Sequence, residues 1–232
     1  MTEILTKMIE FPSNGGTTPG FLAQPSDNGQ WPGVILLQEW WGLVPHILEV
    51  AERLAGEGFV VLAPDLYHGQ RAAEPDEARK LSMALDRQRA IREVSAAAKL
   101  LVSLEGTHPR IGVMGFCMGG GLSLSAAAHD SALGAVVCFY GRPLEAADTA
   151  RIKCPVLGFF GEEDGGIPLS LVYDFQKALT AHQIVHDIHV YAGAQHAFFN
   201  DSRPAYHPDA AADAWQRTLD WFRAHLDTSP VL

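Results

Sequence analysis

The feature that most constrains this chain is an apolar run at residues 111–114 that continues into Gly-Phe-Cys-Met-Gly-Gly-Gly at residues 115–121. Helix-forming residues follow at 122–129. This order predicts a strand, a tight turn and a helix, with the thiol of Cys117 at the apex of the turn. Gly115 and Gly119 flank the apex because a strained turn leaves no room for neighbouring Cβ atoms.

A thiol in that position is suited to nucleophilic chemistry. The helix that starts after Cys117 directs its N-terminal partial positive charge at the sulfur, which favours the thiolate. The backbone N–H of Met118 is then available as one donor of an oxyanion hole. Taken alone, the turn also fits a buried core cysteine or a phosphate-binding loop. The choice depends on partners elsewhere in the chain.

The rest of the chain alternates between apolar and helical segments. Apolar runs predict further strands at residues 33–37, 59–63, 133–140, 155–161 and 186–191. Helical patterns lie between them at residues 45–56, 75–104 with a break near Asp86, 169–181 and 209–226. Residues 2–10 and 17–24 predict an antiparallel N-terminal hairpin. The fold class is therefore α/β, with a mostly parallel sheet covered by helices on both faces, and no linker divides residues 1–232 into more than one domain.

Charge and composition narrow the class of partner. The 232 residues carry a net charge of −10, which argues against nucleic acid and against an anionic membrane surface as partners. No apolar stretch is long enough for a signal peptide or a membrane span. Three cysteines without framework spacing fit a reducing compartment, so we expect a cytoplasmic protein.

No metal or cofactor is predicted. His182 and His186 are four residues apart, but the segment between them runs from a helix end into a strand, so they do not form a helical metal pair. No Gly-x-Gly-x-x-Gly motif opens a nucleotide site. Ser123 and Ser125 lie inside the helix after the thiol turn and are poor nucleophiles, which leaves Cys117.

Two further residues are candidates to act together with the Cys117 thiol in catalysis. Asp164 and His196 each follow the carboxyl end of a predicted strand, where ligands bind in open α/β sheets. An imidazole can take the thiol proton and later give it to the leaving group, and a carboxylate fixes the imidazole tautomer. Glu162 and Glu163 compete for the acid role, and we favour Asp164 because the glycines after it allow a tight turn. The order nucleophile, acid, base along the chain is that of α/β-hydrolases.

Six segments together resemble the dienelactone hydrolase family of α/β-hydrolases, over nearly the whole chain. They are Gln-Glu-Trp-Trp-Gly at 38–42, Pro-Asp-Leu-Tyr at 64–67, Gly-Phe-Cys-Met-Gly-Gly at 115–120, Phe-Tyr-Gly at 139–141, Gly-Glu-Glu-Asp at 161–164 and His-Ala-Phe at 196–198. The resemblance implies cofactor-free hydrolysis of an enol-lactone, carboxymethylenebutenolide, to maleylacetate in aromatic-ring degradation. Cys117 would attack the lactone carbonyl, the ring oxygen would depart as an enolate, and water would hydrolyse the acyl-enzyme.

The resemblance also implies roles for individual residues. Glu39 corresponds to a family glutamate that rests against an arginine and takes the thiol proton once the substrate carboxylate engages that arginine. The backbone N–H groups of Trp40 and Met118 would together form the oxyanion hole.

The residues expected to bind the substrate depart from the family pattern. The best-known family members carry an arginine four residues after the catalytic histidine, where this chain has Asn200. Arg203, three residues further on, is the candidate replacement. Arg87, in the long helical segment, is the candidate for the second substrate-binding arginine. Trp41 and Tyr140 are the other expected substrate contacts.

The leading hypothesis is a cysteine hydrolase that acts on a small ester or lactone, as a monomer or weak homodimer. A second enzyme hypothesis is a broad carboxylesterase in which Trp40 and Trp41 shape an apolar pocket and no arginine clamp is required. A non-catalytic protein that binds a small molecule or a partner would not need the three predicted catalytic residues. A redox-sensing thiol would need a resolving cysteine, whereas Cys138 and Cys154 are predicted in or beside core strands.

Overall fold

A computed structural model of the protein describes residues 3–27 and 29–226. Its strands are β1 (Ile4–Ser13), β2 (Gly16–Pro25), β3 (Trp31–Leu37), β4 (Val60–Pro64), β5 (Thr107–Phe116), β6 (Leu133–Phe139), β7 (Val156–Gly161) and β8 (His186–Tyr191). Its helices are α1 (Pro45–Gly56), α2 (Pro75–Ala84), α3 (Arg87–Ser103), α4 (Met118–His129), α5 (Ala146–Thr149), α6 (Leu169–Ala181) and α7 (Pro208–Leu226).

The strands form one sheet in the order β1-β2-β4-β3-β5-β6-β7-β8. The pairs β1–β2 and β2–β4 are antiparallel, whereas every pair from β4–β3 to β7–β8 is parallel. Strands β6 and β7 are buried along their whole length, as continuous apolar runs predict for strands covered on both faces. The predicted mostly parallel sheet with an N-terminal antiparallel hairpin is therefore confirmed.

The hairpin strands are longer than the sequence pattern predicts. Asn14 and Gly15 alone form the turn, with φ angles of 50° and 78°, and an Asn-Gly pair adopts such left-handed angles readily. Pro12 lies inside β1, which tolerates it because β1 is an edge strand. Residue 2, which the sequence pattern assigns to the first strand, lies outside the described residues.

Helices cover both faces of the sheet. Apolar side chains of α1 and α7 pack with one face, and those of α3, α4 and α6 pack with the other. The predicted break near Asp86 separates α2 from α3, and the Asp86 carboxylate accepts the N–H of Arg89 to cap α3. The helix after the thiol turn begins at Met118, four residues earlier than predicted, and the short α5 was not predicted. No helix among the described residues is long and apolar enough to cross a bilayer.

Strands β3 to β8 run parallel, so the segments that follow them meet at one edge of the sheet. Each of five candidate residues lies directly after one of these strands, at or within a few residues of its carboxyl end. They are Glu39, Cys117, Tyr140, Asp164 and His196. The topology thus brings residues separated by up to 157 positions in the sequence to a single site.

Candidate active site

Cys117 occupies the turn between β5 and α4 with φ 54° and ψ −114°, backbone angles that non-glycine residues rarely adopt. The flanking glycines permit a close approach of main chains. A Cβ on Gly119 would lie 2.5 Å from the carbonyl oxygen of Gln38, and one on Gly115 would overlap the carbonyl of Gly119. The half-buried Cys117 side chain therefore projects from a strained turn, as the sequence predicts.

His196 and Asp164 lie together at the same edge. His196 Nδ1 is 2.6 Å from Asp164 Oδ2, and the Asp164 side chain is completely buried. The other oxygen of Asp164, Oδ1, accepts the main-chain N–H groups of Gly166 at 2.8 Å and Ile167 at 3.1 Å. These two donors fix the carboxylate in the orientation that meets the imidazole. Glu162 and Glu163, the competing acids, are exposed.

The imidazole of His196 is also close to the thiol, because both residues line the same two cavities. Burial by itself would lower the pKa of His196, but hydrogen bonds to Asp164 and Cys117, together with the negative charges of both partners, raise it to about 10. The imidazole is therefore protonated at neutral pH. His196 thus lies between Asp164, to which it is hydrogen-bonded, and Cys117, with which it lines the same two cavities.

The two expected oxyanion donors border the thiol. Met118 is the first residue of α4, so its N–H has no carbonyl partner within the helix. Trp40 follows Glu39 in the irregular segment between β3 and α1. Both residues line the cavity that Cys117 borders. The residues expected to supply the two N–H donors therefore border the same cavity as Cys117.

Glu39 is buried, and its carboxylate is held by neutral donors. Tyr140 Oη donates to Glu39 Oε1 at 3.3 Å, and Asn200 Nδ2 donates to Glu39 Oε2 at 2.8 Å. Burial first, and then the negative charge of Glu39, raise the pKa of Tyr140 well above its ordinary value. The family resemblance implies an arginine against Glu39, and here Asn200 takes that place. Sequence reasoning noted the missing arginine but did not foresee that Asn200 would bind the same carboxylate.

Two cavities meet at Cys117, and Trp40 and His196 also line both. One has a volume of about 410 Å³ and includes Arg87 and Arg142 in its lining, and we call it the arginine cavity. Its lining is mixed in charge, because Glu145 and Asp148 also contribute. Arg87 was predicted from the sequence, whereas Arg142 was missed, although it follows the Phe-Tyr-Gly segment directly.

The second cavity, which we call the tryptophan cavity, has a volume of about 470 Å³. Trp41 and Arg203, both predicted, contribute to its lining. The guanidinium carbon of Arg203 lies 3.9 Å from the centre of the Trp41 ring, a geometry that holds the cation by its attraction to the aromatic face. Arg203 is thus in the active site, but it stacks on Trp41 and does not take the position of the missing arginine beside Glu39.

The remaining cysteines lie away from solvent. Cys138 and Cys154 are buried and free, and burial raises the pKa of each thiol to about 12. Both belong to the apolar core on the α3, α4 and α6 side of the sheet. Within residues 3–27 and 29–226, no group of three His, Cys, Asp or Glu side chains has the arrangement of a metal site.

The parallel sheet, the strained turn after β5 and the polar residues at the strand ends define an α/β-hydrolase fold. Within that class, the chain belongs to the dienelactone hydrolase family, whose model matches residues 18–226. The chain is 34% identical over 245 residues to a "Putative carboxymethylenebutenolidase" of Synechocystis sp., covering 97% of this chain and 98% of that protein. It is 37% identical over 232 residues to "Protein usf" of Aquifex pyrophilus, covering 95% and 99% respectively.

Solved structures agree with this assignment. A crystal structure described as a "Putative Dienelactone Hydrolase" from Klebsiella pneumoniae superposes with a TM-score of 0.90 at 31% identity, covering 96% of this chain and all of that chain. Family and fold together identify the protein as a hydrolase of carboxylic esters or lactones.

Proposed function

We propose that Cys117 is the nucleophile of a cysteine-dependent ester or lactone hydrolase, with His196 as general acid and base and Asp164 as its orienting carboxylate. The observation that carries the proposal is that the half-buried thiol and His196 line the same two cavities, while His196 is hydrogen-bonded to the buried Asp164. In the proposed mechanism His196 takes the proton of the Cys117 thiol before the sulfur attacks.

The reaction then proceeds in two halves. The Cys117 sulfur bonds to the substrate carbonyl carbon, and the carbonyl electron pair moves onto oxygen, where the N–H groups of Met118 and Trp40 stabilise it. Collapse expels the alkoxide or enolate oxygen, which receives the His196 proton. Neutral His196 next removes a proton from water, and the hydroxide attacks the thioester carbonyl. The carboxylic acid leaves and the thiolate is restored.

The substrate we favour is dienelactone, which would be converted to maleylacetate. Relatives that carry the name carboxymethylenebutenolidase support this choice, and so does a positive charge in each cavity. Arg203 would bind the substrate carboxylate in the tryptophan cavity, with Trp41 against the lactone ring. Arg87 would bind it if the lactone lay in the arginine cavity.

A second candidate, a broad carboxylesterase, is favoured by the environment of Glu39. Its carboxylate is hydrogen-bonded to Asn200 and Tyr140. A substrate carboxylate would attract an arginine away from Glu39, but it would not attract these two neutral side chains in the same way. Activation of the thiol would then rest on His196 and would not require a charged substrate. The apolar rings of Trp40 and Trp41 in the tryptophan cavity suit uncharged acyl or alcohol groups.

Hydrolysis of dienelactone, followed by its ultraviolet absorbance, and of an uncharged phenyl ester tests both candidates. Cys117→Ala should lose both activities. For a dienelactone hydrolase, Arg203→Ala should raise KM for the lactone alone, whereas the control Arg110→Ala, near the start of β5, should not. Cleavage of the phenyl ester without the lactone would support the carboxylesterase. Full activity of Cys117→Ala would refute the proposed nucleophile, whereas a wild type that cleaves neither substrate would leave the binding or redox hypotheses.

A further inference from the structure

Tyr67 is a buried aromatic residue in the loop after β4, and its hydroxyl reaches both residues that carry the proposed oxyanion donors. Its Oη lies 3.2 Å from the carbonyl oxygen of Trp40 and 3.3 Å from Sδ of Met118. Only 5% of the residue is exposed. The hydroxyl therefore stands between the irregular segment after β3 and the first turn of α4.

The loop that carries Tyr67 is held by buried polar contacts. The Asp65 carboxylate accepts the N–H groups of Tyr67 at 3.1 Å and Gly69 at 2.7 Å. The fully buried Gln38 accepts the N–H of Leu66 at 3.2 Å, and Gln38 directly precedes Glu39 and Trp40. The main chain of Tyr67 is thus fixed to the same segment that its hydroxyl contacts.

The two oxyanion donors differ in how their main chains are fixed. Met118 N–H is oriented by the helix that it begins. Trp40 lies in a turn outside any helix or strand, and the peptide unit that carries its N–H is held there by one long main-chain hydrogen bond, from Gly42 N–H to the Glu39 carbonyl at 3.3 Å. A hydroxyl carries one proton and donates one strong hydrogen bond, and the Trp40 carbonyl is a much stronger acceptor than the Met118 thioether. The bond from Tyr67 to the Trp40 carbonyl therefore adds a second restraint, on the peptide unit that follows the Trp40 N–H.

The protonation state of Tyr67 suits a permanent donor. Burial is the main cause that raises its pKa to about 12. The hydroxyl thus keeps its proton over the whole range in which the enzyme would work. Tyr67 contributes to the lining of neither cavity, so we assign it a role that acts through Trp40.

We propose that Tyr67 is a positioning residue of the oxyanion hole, whose hydroxyl holds the Trp40 main chain so that the N–H groups of Trp40 and Met118 converge on one oxygen. This inference rests on the proposed function, because it requires a tetrahedral oxyanion formed at Cys117. It predicts a defect in transition-state stabilisation and none in the reactivity of the thiol.

The test compares wild type, Tyr67→Phe and the control Tyr173→Phe, whose residue is an exposed tyrosine on α6. Tyr67→Phe should lower kcat for the phenyl ester about tenfold, or about 1.4 kcal/mol, with KM changed less than about twofold. The affinity for an aryl trifluoromethyl ketone should weaken by the same factor, because the sulfur adds to this ketone and leaves an oxyanion in the hole. Alkylation of Cys117 by iodoacetamide, which forms no oxyanion, should keep its rate.

Replacement of Tyr67 by para-aminophenylalanine, which keeps the ring and a hydrogen-bond donor, should restore kcat and ketone affinity. If Tyr67→Phe does not fold, this second variant is compared with wild type in its place. Unchanged kcat and ketone affinity in Tyr67→Phe would overturn the inference. Equal loss of alkylation rate would also overturn it, because the role would then lie in activating the thiol. If wild type binds the ketone but cleaves neither ester nor lactone, the proposed function fails, and Tyr67 is still judged by ketone affinity.

Discussion

Asp164→Asn should inactivate the enzyme without unfolding it, and the contacts of Asp164 explain why. Oδ1 accepts two main-chain N–H groups, from Gly166 and Ile167, so the amide oxygen of an asparagine must stay on that side. The amide NH₂ is then left facing His196 Nδ1, where the carboxylate oxygen lay at 2.6 Å. A donor in that position favours the tautomer whose Nδ1 is unprotonated and whose Nε2 carries the proton.

The expected loss of kcat follows from this reversal of the hydrogen bond between residue 164 and His196. With its proton on Nε2, neutral His196 cannot accept a proton from the thiol or from water through that nitrogen. Loss of the correct tautomer in a nucleophile–histidine–aspartate triad lowers kcat by about four orders of magnitude, or about 5 kcal/mol. The pKa of His196 should also fall from about 10, because removing a charge in contact changes a pKa by about 1 to 3 pH units.

Two measurements check this prediction. Steady-state hydrolysis of the phenyl ester gives kcat for Asp164→Asn and for the control Glu163→Gln, which changes an exposed neighbouring carboxylate and should keep wild-type activity. Nitrogen-15 NMR of His196 reports the tautomer and the pKa directly. A variant that keeps kcat within about tenfold of wild type, or whose His196 still titrates near pH 10, would refute the reasoning.

The close approach at Gly119, the buried carboxylate of Glu39 and the raised pKa of His196 each have a measurable consequence. Gly119→Ala places a Cβ 2.5 and 2.6 Å from two carbonyl oxygens at the end of β3, so the free energy of unfolding in urea should fall by about 1–3 kcal/mol. Gly165→Ala, whose Cβ meets nothing within 4 Å, should leave it unchanged. Glu39→Gln places an amide donor against an existing donor, so the free energy of unfolding should fall by about 1–3 kcal/mol. Phenyl ester hydrolysis should slow less than about tenfold. A loss of about a thousandfold would show instead that Glu39 takes the thiol proton. Because the pKa of His196 rises from 6.5 to about 10 on folding, its protonated form stabilises the protein fully below pH 6.5, and this stabilisation is lost as the pH rises through 10. The urea stability of wild type relative to Asp164→Asn should therefore shrink over that interval, and a constant difference would contradict the assignment.

Much of the fold could be predicted because its signals are local. The glycines around Cys117 mark a close approach that the structure confirms, and Asp86 marks the break between α2 and α3 through its cap. The meeting of Asp164 and His196 also followed from the sequence. Both residues end strands of a parallel sheet, so topology alone brings them to one edge.

The partners of the remaining side chains could not be predicted in the same way. Asn200 lies 161 positions from Glu39, in a loop without periodicity. Nothing in the sequence around an asparagine indicates that its amide will bind a buried carboxylate. Arg142 faces the active site only because the loop after β6 turns it there. The hydroxyl of Tyr67 meets Trp40 through two loops whose conformations depend on one another. Loop residues of this kind are placed by tertiary contacts, which a periodic pattern does not encode.

Backbone strain shows why those loops matter to the site. Within the described ranges, six non-glycine residues have positive φ angles, and four of them lie at the carboxyl edge of the sheet: His68, Cys117, Tyr140 and Ala197. Each such residue costs about 1–3 kcal/mol unless its surroundings enforce the conformation. These four adjoin or form the groups that hold the thiol, the imidazole and Glu39. The backbone strain is thus concentrated in the loops that orient the candidate catalytic side chains. Buried hydrogen bonds of Asp65, Glu39 and Asp164 lie in the same region and stabilise these loops.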